Sequence, residues 1–316
     1  MLNQLYGLVI NNNISVPGLK PAVQAKVDVR IHNTSSLKFP PSFSSWFMNW
    51  TLPGGDKWLS CAKTDTGYLL RFSELADFEI DKTGSEIICM PRPGIPEDTI
   101  QHLLLDQVLP LVINLRGGEA LHASAVLTSQ GVIAFAGPAG SGKSTITASL
   151  LNTGFPFVSD DCLTLQEKDQ KIYAIPAYPG LRLWDDAQEH LFGENGKAKF
   201  VAHYTPKRRV DIEEKPESYS TEPKPLRRLY DIVHSPETGQ RSDIVIENLS
   251  ARDSFMALVR CAFRLDITDR QMLIRQFQFL KRVASAVSIR RLSFRKDFQL
   301  LPAVREAILQ DLRDLE

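Results

Sequence analysis

Short alternating apolar runs fill the first ninety residues and predict strands. One is expected over Leu5–Ile10, and a second over Ala25–Ile31, where Val27, Val29 and Ile31 alternate with polar positions. Tyr68–Phe72 and Glu86–Met90 are two further apolar runs bounded by turn residues. Between them, Phe39–Asp56 mixes Pro40, Pro41, Pro53, Gly54 and Gly55 with serines, Trp46 and Trp50, which predicts a long irregular loop. The spacing of Ile100, Leu103, Leu104, Val108, Leu111, Val112 and Leu115 then predicts a helix from about Pro96 to Leu115, stopped by Gly117-Gly118.

Beyond that helix the pattern changes. His122–Thr128 and Gly131–Ala136 read as paired strands, and Lys143–Leu151 as a helix directed inward by Ile146, Leu150 and Leu151. Phe157–Ser159 is a strand ending at Asp160-Asp161, and Leu163–Leu165 with Lys171–Ile175 forms a hairpin around Glu167–Gln170. Glu213–Pro225, rich in Glu, Lys, Ser and Pro, is expected to be a mobile loop, with late strands at Leu229–Val233 and Ile244–Ile246. Ser250–Asp253 and Thr268–Gln271 both have the form of capping boxes. The first helix is expected to bury Phe255, Leu258, Val259 and Ala262; the second, Leu273, Phe277, Leu280 and Ala284. Val287 and Ile289 alternate as a strand, and Leu301-Pro302 opens a last helix with Val304, Ile308, Leu312 and Leu315 inward. The expected organisation is an N-terminal β-rich domain over 1–95, a candidate acceptor-recognition region with edges open to strand addition, and an α/β domain over 96–316 with a helical C-terminal part.

Charge changes this picture little. Lys plus Arg and Asp plus Glu number 37 each, so no global field favours nucleic acid or an anionic membrane. The N-terminus has no signal-peptide pattern, and the apolar stretch Val108–Leu115 is interrupted by Pro110 and Asn114, so a soluble cytoplasmic protein is expected. Cys61, Cys89, Cys162 and Cys261 form no CxxC pair, which suits reduced thiols, and the six histidines lack zinc-ligand spacing.

The candidate chemistry begins at Gly137-Pro138-Ala139-Gly140-Ser141-Gly142-Lys143-Ser144-Thr145, between a predicted strand and a predicted helix. Glycines let the backbone turn successive N–H groups toward phosphate oxygens; Lys143 adds a point charge, and the Ser144 hydroxyl suits Mg2+. The helix starting at Lys143 adds its positive dipole end. This pattern predicts a nucleoside triphosphate, with ATP as the default, and Mg2+. Asp160-Asp161 closes a neighbouring apolar strand, where one carboxylate would serve the metal and the other a substrate hydroxyl. Aspartates in such places also fill solvated turns and helix caps; the adjacent phosphate loop favours the functional reading. For His122, a structural role and an orienting role beside the carboxylates are evenly balanced. Arg182 and the run Lys207-Arg208-Arg209 could meet phosphates, although solvated surface charges are the commoner fate of such residues.

The order Leu121–Val126, Gly137–Thr145 and Ser159-Asp160-Asp161 resembles the catalytic core of HPr kinase/phosphorylase, over about a quarter of the chain. The resemblance implies a P-loop phosphotransferase core of the HPr kinase and phosphoenolpyruvate carboxykinase type. Asp161 would take the proton of the target serine, with Asp160 its acidic neighbour and His122 the histidine beside it. The wider layout, in Leu5–Leu8, Pro179–Trp184 and Pro225–Tyr230, is similar to HPr-kinase-related enzymes of lasso-peptide and similar peptide-natural-product gene clusters. Some of these phosphorylate a serine of a precursor peptide. The glycine-rich acidic segment associated with phosphorolysis has no counterpart, which speaks against reversal by inorganic phosphate. The leading expectation is therefore a kinase acting on a serine of a peptide or small protein. A small-molecule kinase or carboxykinase-like phosphotransferase, and a nucleotide-gated binding module, are the alternatives.

Overall fold

A computed structural model describes residues 1–13, 19–22, 26–34, 43, 45–52, 54–193, 198–212, 218–234 and 244–313. The chain forms two compact units. The first comprises Met1–Gly118 with Ala202–Tyr204 and Arg264–Leu273; the second comprises Glu119–Val201, Thr205–Phe263 and Ile274–Glu316.

The first unit carries β1 (Leu2–Leu5), β2 (Leu8–Asn12), β3 (Lys20–Pro21), β4 (Val29–Asn33), β5 (Trp46–Thr51), β6 (Lys57–Lys63), β7 (Gly67–Phe72), β8 (Ala76–Asp81) and β9 (Glu86–Pro91). They make one sheet in the order β3-β1-β2-β4-β9-β8-β7-β6-β5. On β4 the expected alternation holds, with Val29 and Ile31 buried and Arg30 exposed. Leu5–Ile10 is not one strand. Tyr6 and Gly7 take φ values of 53° and 80°, and Leu5 pairs back onto Leu8. Positive φ at both central positions gives a turn whose twist matches a hairpin. Within the expected loop Phe39–Asp56, 39–42, 44 and 53 lie outside the described residues, but Trp46–Thr51 is a strand paired with β6. Its proline- and glycine-rich flanks concealed an aromatic run that fits a pleated surface.

The helix expected from Pro96 is present as α1 (Glu97–Leu103), a π-helical turn (Leu104–Val108) and α2 (Leu109–Leu115). The wider turn lies just before Pro110, whose ring cannot sit against a regular i−4 carbonyl. This helix belongs to the first compact unit, whose leading segment runs to Gly118. The Tyr6 hydroxyl donates to the Leu105 carbonyl, and Arg116 pairs with Asp28 at 3.2 Å, which ties the helix to the N-terminal sheet.

The second unit contains β10 (Glu119–Leu121), β11 (Ala123–Thr128), β12 (Gly131–Ala136), α3 (Lys143–Leu151), β13 (Phe157–Ser159), β14 (Leu163–Lys168), β15 (Lys171–Ile175), β16 (Gly180–Leu183) and α4 (Asp185–Phe192). β17 (Ala198–Phe200), β18 (Arg208–Asp211), β19 (Lys224–His234), β20 (Val245–Asn248), α5 (Ala251–Cys261), α6 (Arg270–Ala286, beginning in the first unit), β21 (Ser288–Phe294) and α7 (Leu301–Leu312) follow. The main sheet runs β10-β14-β15-β19-β12-β11-β13, with β21 beside β19; β12, β19 and β21 are mutually parallel. A small sheet has the order β16-β18-β17.

β12 shows why helices cover both faces. Val132, Ala134 and Ala136 join a cluster with α5 and α6, while Ile133 and Phe135 join one with α3 and α7. An apolar run without polar alternation is what a doubly covered strand requires. Of the expected mobile loop, 213–217 lie outside the described residues, and Lys224-Pro225 opens β19, with Pro225 opposite Tyr173.

Ser250 caps α5 as expected, accepting from the Asp253 N–H at 3.1 Å. At α6 the cap is Asp269, which accepts from the Met272 N–H at 3.0 Å, while the Thr268 hydroxyl turns to Asp266. The buried stripe of α6 is Met272, Gln276, Leu280 and Val283, and Phe277 is 56% exposed. Gln276 is drawn inward because its amide donates to Glu119 at 2.7 Å and to the Phe263 carbonyl at 2.8 Å. A hydropathy pattern cannot register that pairing.

The last helix is anchored by a buried ionic knot. Asp311 accepts from Arg228 and Arg290, both at 2.5 Å, and from the Tyr230 hydroxyl at 2.9 Å. Arg228 is only 1% exposed. Asp311→Ala strands that cation and is expected to cost about 3–5 kcal/mol, read as a lower denaturant midpoint at unchanged slope. A loss below about 1 kcal/mol would show that the knot adds nothing to stability.

Candidate active site

The cleft is built around the turn from β12 into α3. Gly137 has φ 151°, and a Cβ there would meet Ser141 Oγ at 2.8 Å and the Ile232 carbonyl at 3.1 Å, so only glycine fits. Gly142 caps α3 in a left-handed conformation at φ 88°. These two positions let the chain leave the sheet and enter the helix within six residues. Lys143 is buried, and its Nζ folds back to donate to the carbonyls of Gly137 at 3.0 Å and Pro138 at 3.1 Å. Burial lowers the pKa of its ammonium, against the opposing pull of Asp161 and Asp160. Ser144, next on the helix, donates from Oγ to Asp160 Oδ1 at 2.8 Å.

Asp160 and Asp161 follow β13, and identical side chains acquire opposite electrostatics there. The Asp160 carboxylate is 2% exposed and its Oδ2 accepts from the Arg182 backbone N–H at 2.9 Å. Burial, then the neighbouring Asp161, pushes its pKa up to about 6. Asp161 is also disfavoured by burial, but Lys207, Arg182, His122 and Lys143 together hold its carboxyl well below the usual range. Their charged atoms stand off: Arg182 Nη1 and His122 Nε2 at 3.7 Å, Lys207 Nζ at 3.9 Å. The Asp161 backbone is itself unusual, with φ 60° and the Cys162 N–H bonded to the Asp160 carbonyl at 2.7 Å. This is the rarer, left-handed form of the γ-turn, and strained backbone of this kind gathers at functional sites. It points the Asp161 carboxylate at the cation group.

His122 is not within a strand. It interrupts β10 and β11, where the chain changes partner from β14 to β12, and its N–H bonds the Cys261 carbonyl at 2.6 Å. Its ring stacks on Phe263 at 6.2 Å. Arg182 is buried on β16, with its guanidinium 5.2 Å over Tyr178. Lys207 lies over Trp184. Arg208 is not brought to Asp161: it pairs with Asp185, lies over Phe200, and does not line the cleft.

The cleft has a volume of about 480 Å³ and is lined by Ala139, Gly140, Gly142, Lys143, Ser144 and Thr145 on one side. Asp161, His122, Arg182 and Lys207 line it as well, with Trp184, Asp185, Lys296 and Phe298 among the remaining wall residues. Lys296 and Phe298 carry no recognisable motif; only their place after β21, a strand parallel to β19, brings them here. The surplus of cations suits an anionic ligand.

The donor set fits one kind of metal. Among the described residues no group of three or more His, Cys, Asp or Glu could hold an ion. Ser144 and Asp160 instead offer two adjacent oxygens beside the glycine turn that opens α3. Mg2+ is bound in that way, through few protein oxygens plus phosphates and water. Among the described residues no helix is long and apolar enough to cross a membrane.

No protein-family model matches the sequence, and no curated protein matches it. Among solved structures, the HPr(Ser) kinase/phosphatase from Coxiella burnetii is similar at 12% sequence identity with a TM-score of 0.34, over 62% of this chain and 97% of that one.

Proposed function

We propose that the protein is an ATP-dependent, Mg2+-requiring kinase that transfers the γ-phosphoryl group to a serine hydroxyl of a peptide or small protein. The observation that carries this reading is that Ser144, whose Oγ donates to the buried Asp160 at 2.8 Å, lines the same cleft as Asp161, whose carboxyl the surrounding cations hold ionised. It sets a metal-type oxygen pair beside a second carboxylate that is ringed by cations.

Lys143 leaves the Gly137 and Pro138 carbonyls for the β- and γ-phosphates, joined by loop N–H groups and the N-terminus of α3. Ser144 and Asp160 would hold Mg2+, which neutralises developing charge on the phosphates when bound. Asp161 accepts the serine proton as the hydroxyl oxygen bonds to γ-phosphorus; the bond from γ-phosphorus to the bridging oxygen breaks, and ADP leaves. His122 orients that carboxylate. A carboxylate surrounded by cations is a weak base. Arrival of the triphosphate gives Lys143, Arg182 and Lys207 new anionic partners, which loosens their hold on Asp161 and raises its basicity when the phosphoryl donor is in place.

Labelled ATP, incubated with serine-containing peptides, tests this reading. Label is expected in phosphoserine; release as free phosphate alone, with every acceptor, would replace the kinase with a nucleotide-hydrolysing module. Excess EDTA is expected to reduce transfer to background and added Mg2+ to restore it. Full activity in EDTA would remove Ser144 and Asp160 from metal binding.

A further inference from the structure

His122 is held by a stretch of chain that carries no motif. α5 ends at Cys261, and Ala262 leaves the helix at φ −73° and ψ 133°, so the chain becomes extended at once. Cys261–Phe263 then lies antiparallel to Ala120–His122. The His122 N–H donates to the Cys261 carbonyl at 2.6 Å, the Phe263 N–H donates to the Ala120 carbonyl at 3.0 Å, and Leu121 stands opposite Ala262 between them. These bonds replace the ladder that His122 lacks where β10 gives way to β11. The stretch is anchored at both ends. Arg260 donates to the buried Asp231 of β19 at 2.9 Å, and the Phe263 carbonyl accepts from the amide of the buried Gln276 at 2.8 Å.

This register decides which side chain meets His122. With Leu121 opposite Ala262, His122 stands opposite Cys261 and diagonal to Phe263, on the same face. Diagonal neighbours on one face lie within reach of aromatic side chains. The two rings accordingly stack, with centroids 6.2 Å apart and planes only 12° from parallel. The His122 side chain is 41% exposed, and its Nε2 stands 3.7 Å from Asp161 Oδ1. An imidazole with that much solvent around it can turn about its side-chain torsions and lose its aim. A flat apolar face alongside removes much of that freedom. We propose that Phe263 is a positioning residue, whose ring sets the plane of the His122 imidazole and so keeps Nε2 directed at Asp161. The inference rests on the kinase reading above, in which His122 orients the base.

The test is steady-state transfer from labelled ATP to a serine peptide that accepts phosphate from wild-type protein, with ATP affinity measured separately by calorimetry. Phe263→Leu and Phe263→Met keep an apolar side chain without a flat face. Both are expected to lower kcat by about 2- to 13-fold, the usual worth of an aromatic pair, at unchanged ATP affinity and unchanged peptide KM. Phe263→Tyr and Phe263→Trp restore the flat face and are expected to recover most of kcat. On a His122→Ala background, which itself lowers kcat, Phe263→Leu is expected to cost nothing further, because a residue that acts through the imidazole then has nothing to position. Wild-type kcat in Phe263→Leu and Phe263→Met overturns the proposal, as does an equal loss in the Tyr and Leu variants. An undiminished further loss on the His122→Ala background also overturns it, since that is the mark of a merely structural residue. If wild-type protein passes label to no peptide, the kinase reading itself fails and this one with it.

Discussion

Asp161→Asn is expected to lower turnover by about two to four orders of magnitude, the usual worth of a positioned general base. The amide keeps the size and shape of the carboxylate but cannot take the serine proton. ATP affinity is expected to hold or improve. Lys207, Arg182, His122 and Lys143 all now neutralise Asp161, and the amide frees them to meet the triphosphate. The variant thus separates two effects that a simple loss of structure would merge: kcat falls while nucleotide binding does not. Asp160→Asn is expected to differ, weakening the response to Mg2+ along with the rate, since Asp160 is the carboxylate bonded to Ser144. If Asp161→Asn keeps most of its kcat and Asp160→Asn loses it, the two roles are reversed. If neither matters, the pair is only a turn.

The second large effect is expected at Lys143. Lys143→Ala removes the charge assigned to the β- and γ-phosphates and should cost at least about two to three orders of magnitude in kcat/KM, comparable to deleting one strong electrostatic contact in a transition state. ATP affinity should fall as well, in contrast to Asp161→Asn. The fold should persist. The ammonium is buried and disfavoured by that burial, and its two bonds are to loop carbonyls, so its removal leaves no buried charge unpaired. Circular dichroism and the thermal midpoint check the fold; near-normal turnover would remove Gly137–Thr145 from nucleotide binding.

Local backbone structure was readable from the chain because it is written in contiguous residues. The strand, the glycine turn and the helix at Gly131–Leu151 are each specified by neighbours a few positions away, and the helix begins at Lys143 as its spacing predicts. Asp160-Asp161 likewise sits at the end of a three-residue apolar strand. The helix after Pro96 was visible in its 3.6-residue period, although its π turn and its membership of the first unit were not. Hydropathy describes which face of an element is apolar but not which partner covers it. For that reason the buried face of α6 was misassigned around Phe277, where Gln276 turns inward to polar partners. The same limit governed the site. Arg182 and Lys207 reach Asp161 while Arg208, adjacent to Lys207, turns to Asp185; Lys207 stands just before β18 and Arg208 opens it, and sequence does not say which of two neighbouring cations faces the cleft. Lys296 and Phe298 lie far along the chain from the loop they approach, carried there by the β12-β19-β21 order. The amino-acid sequence determined the loop, its lysine and its paired aspartates, because backbone geometry there is local. Tertiary structure alone decided which distant cations surround Asp161 and what stands beside the loop, because strand order is set by packing between elements that no local pattern encodes.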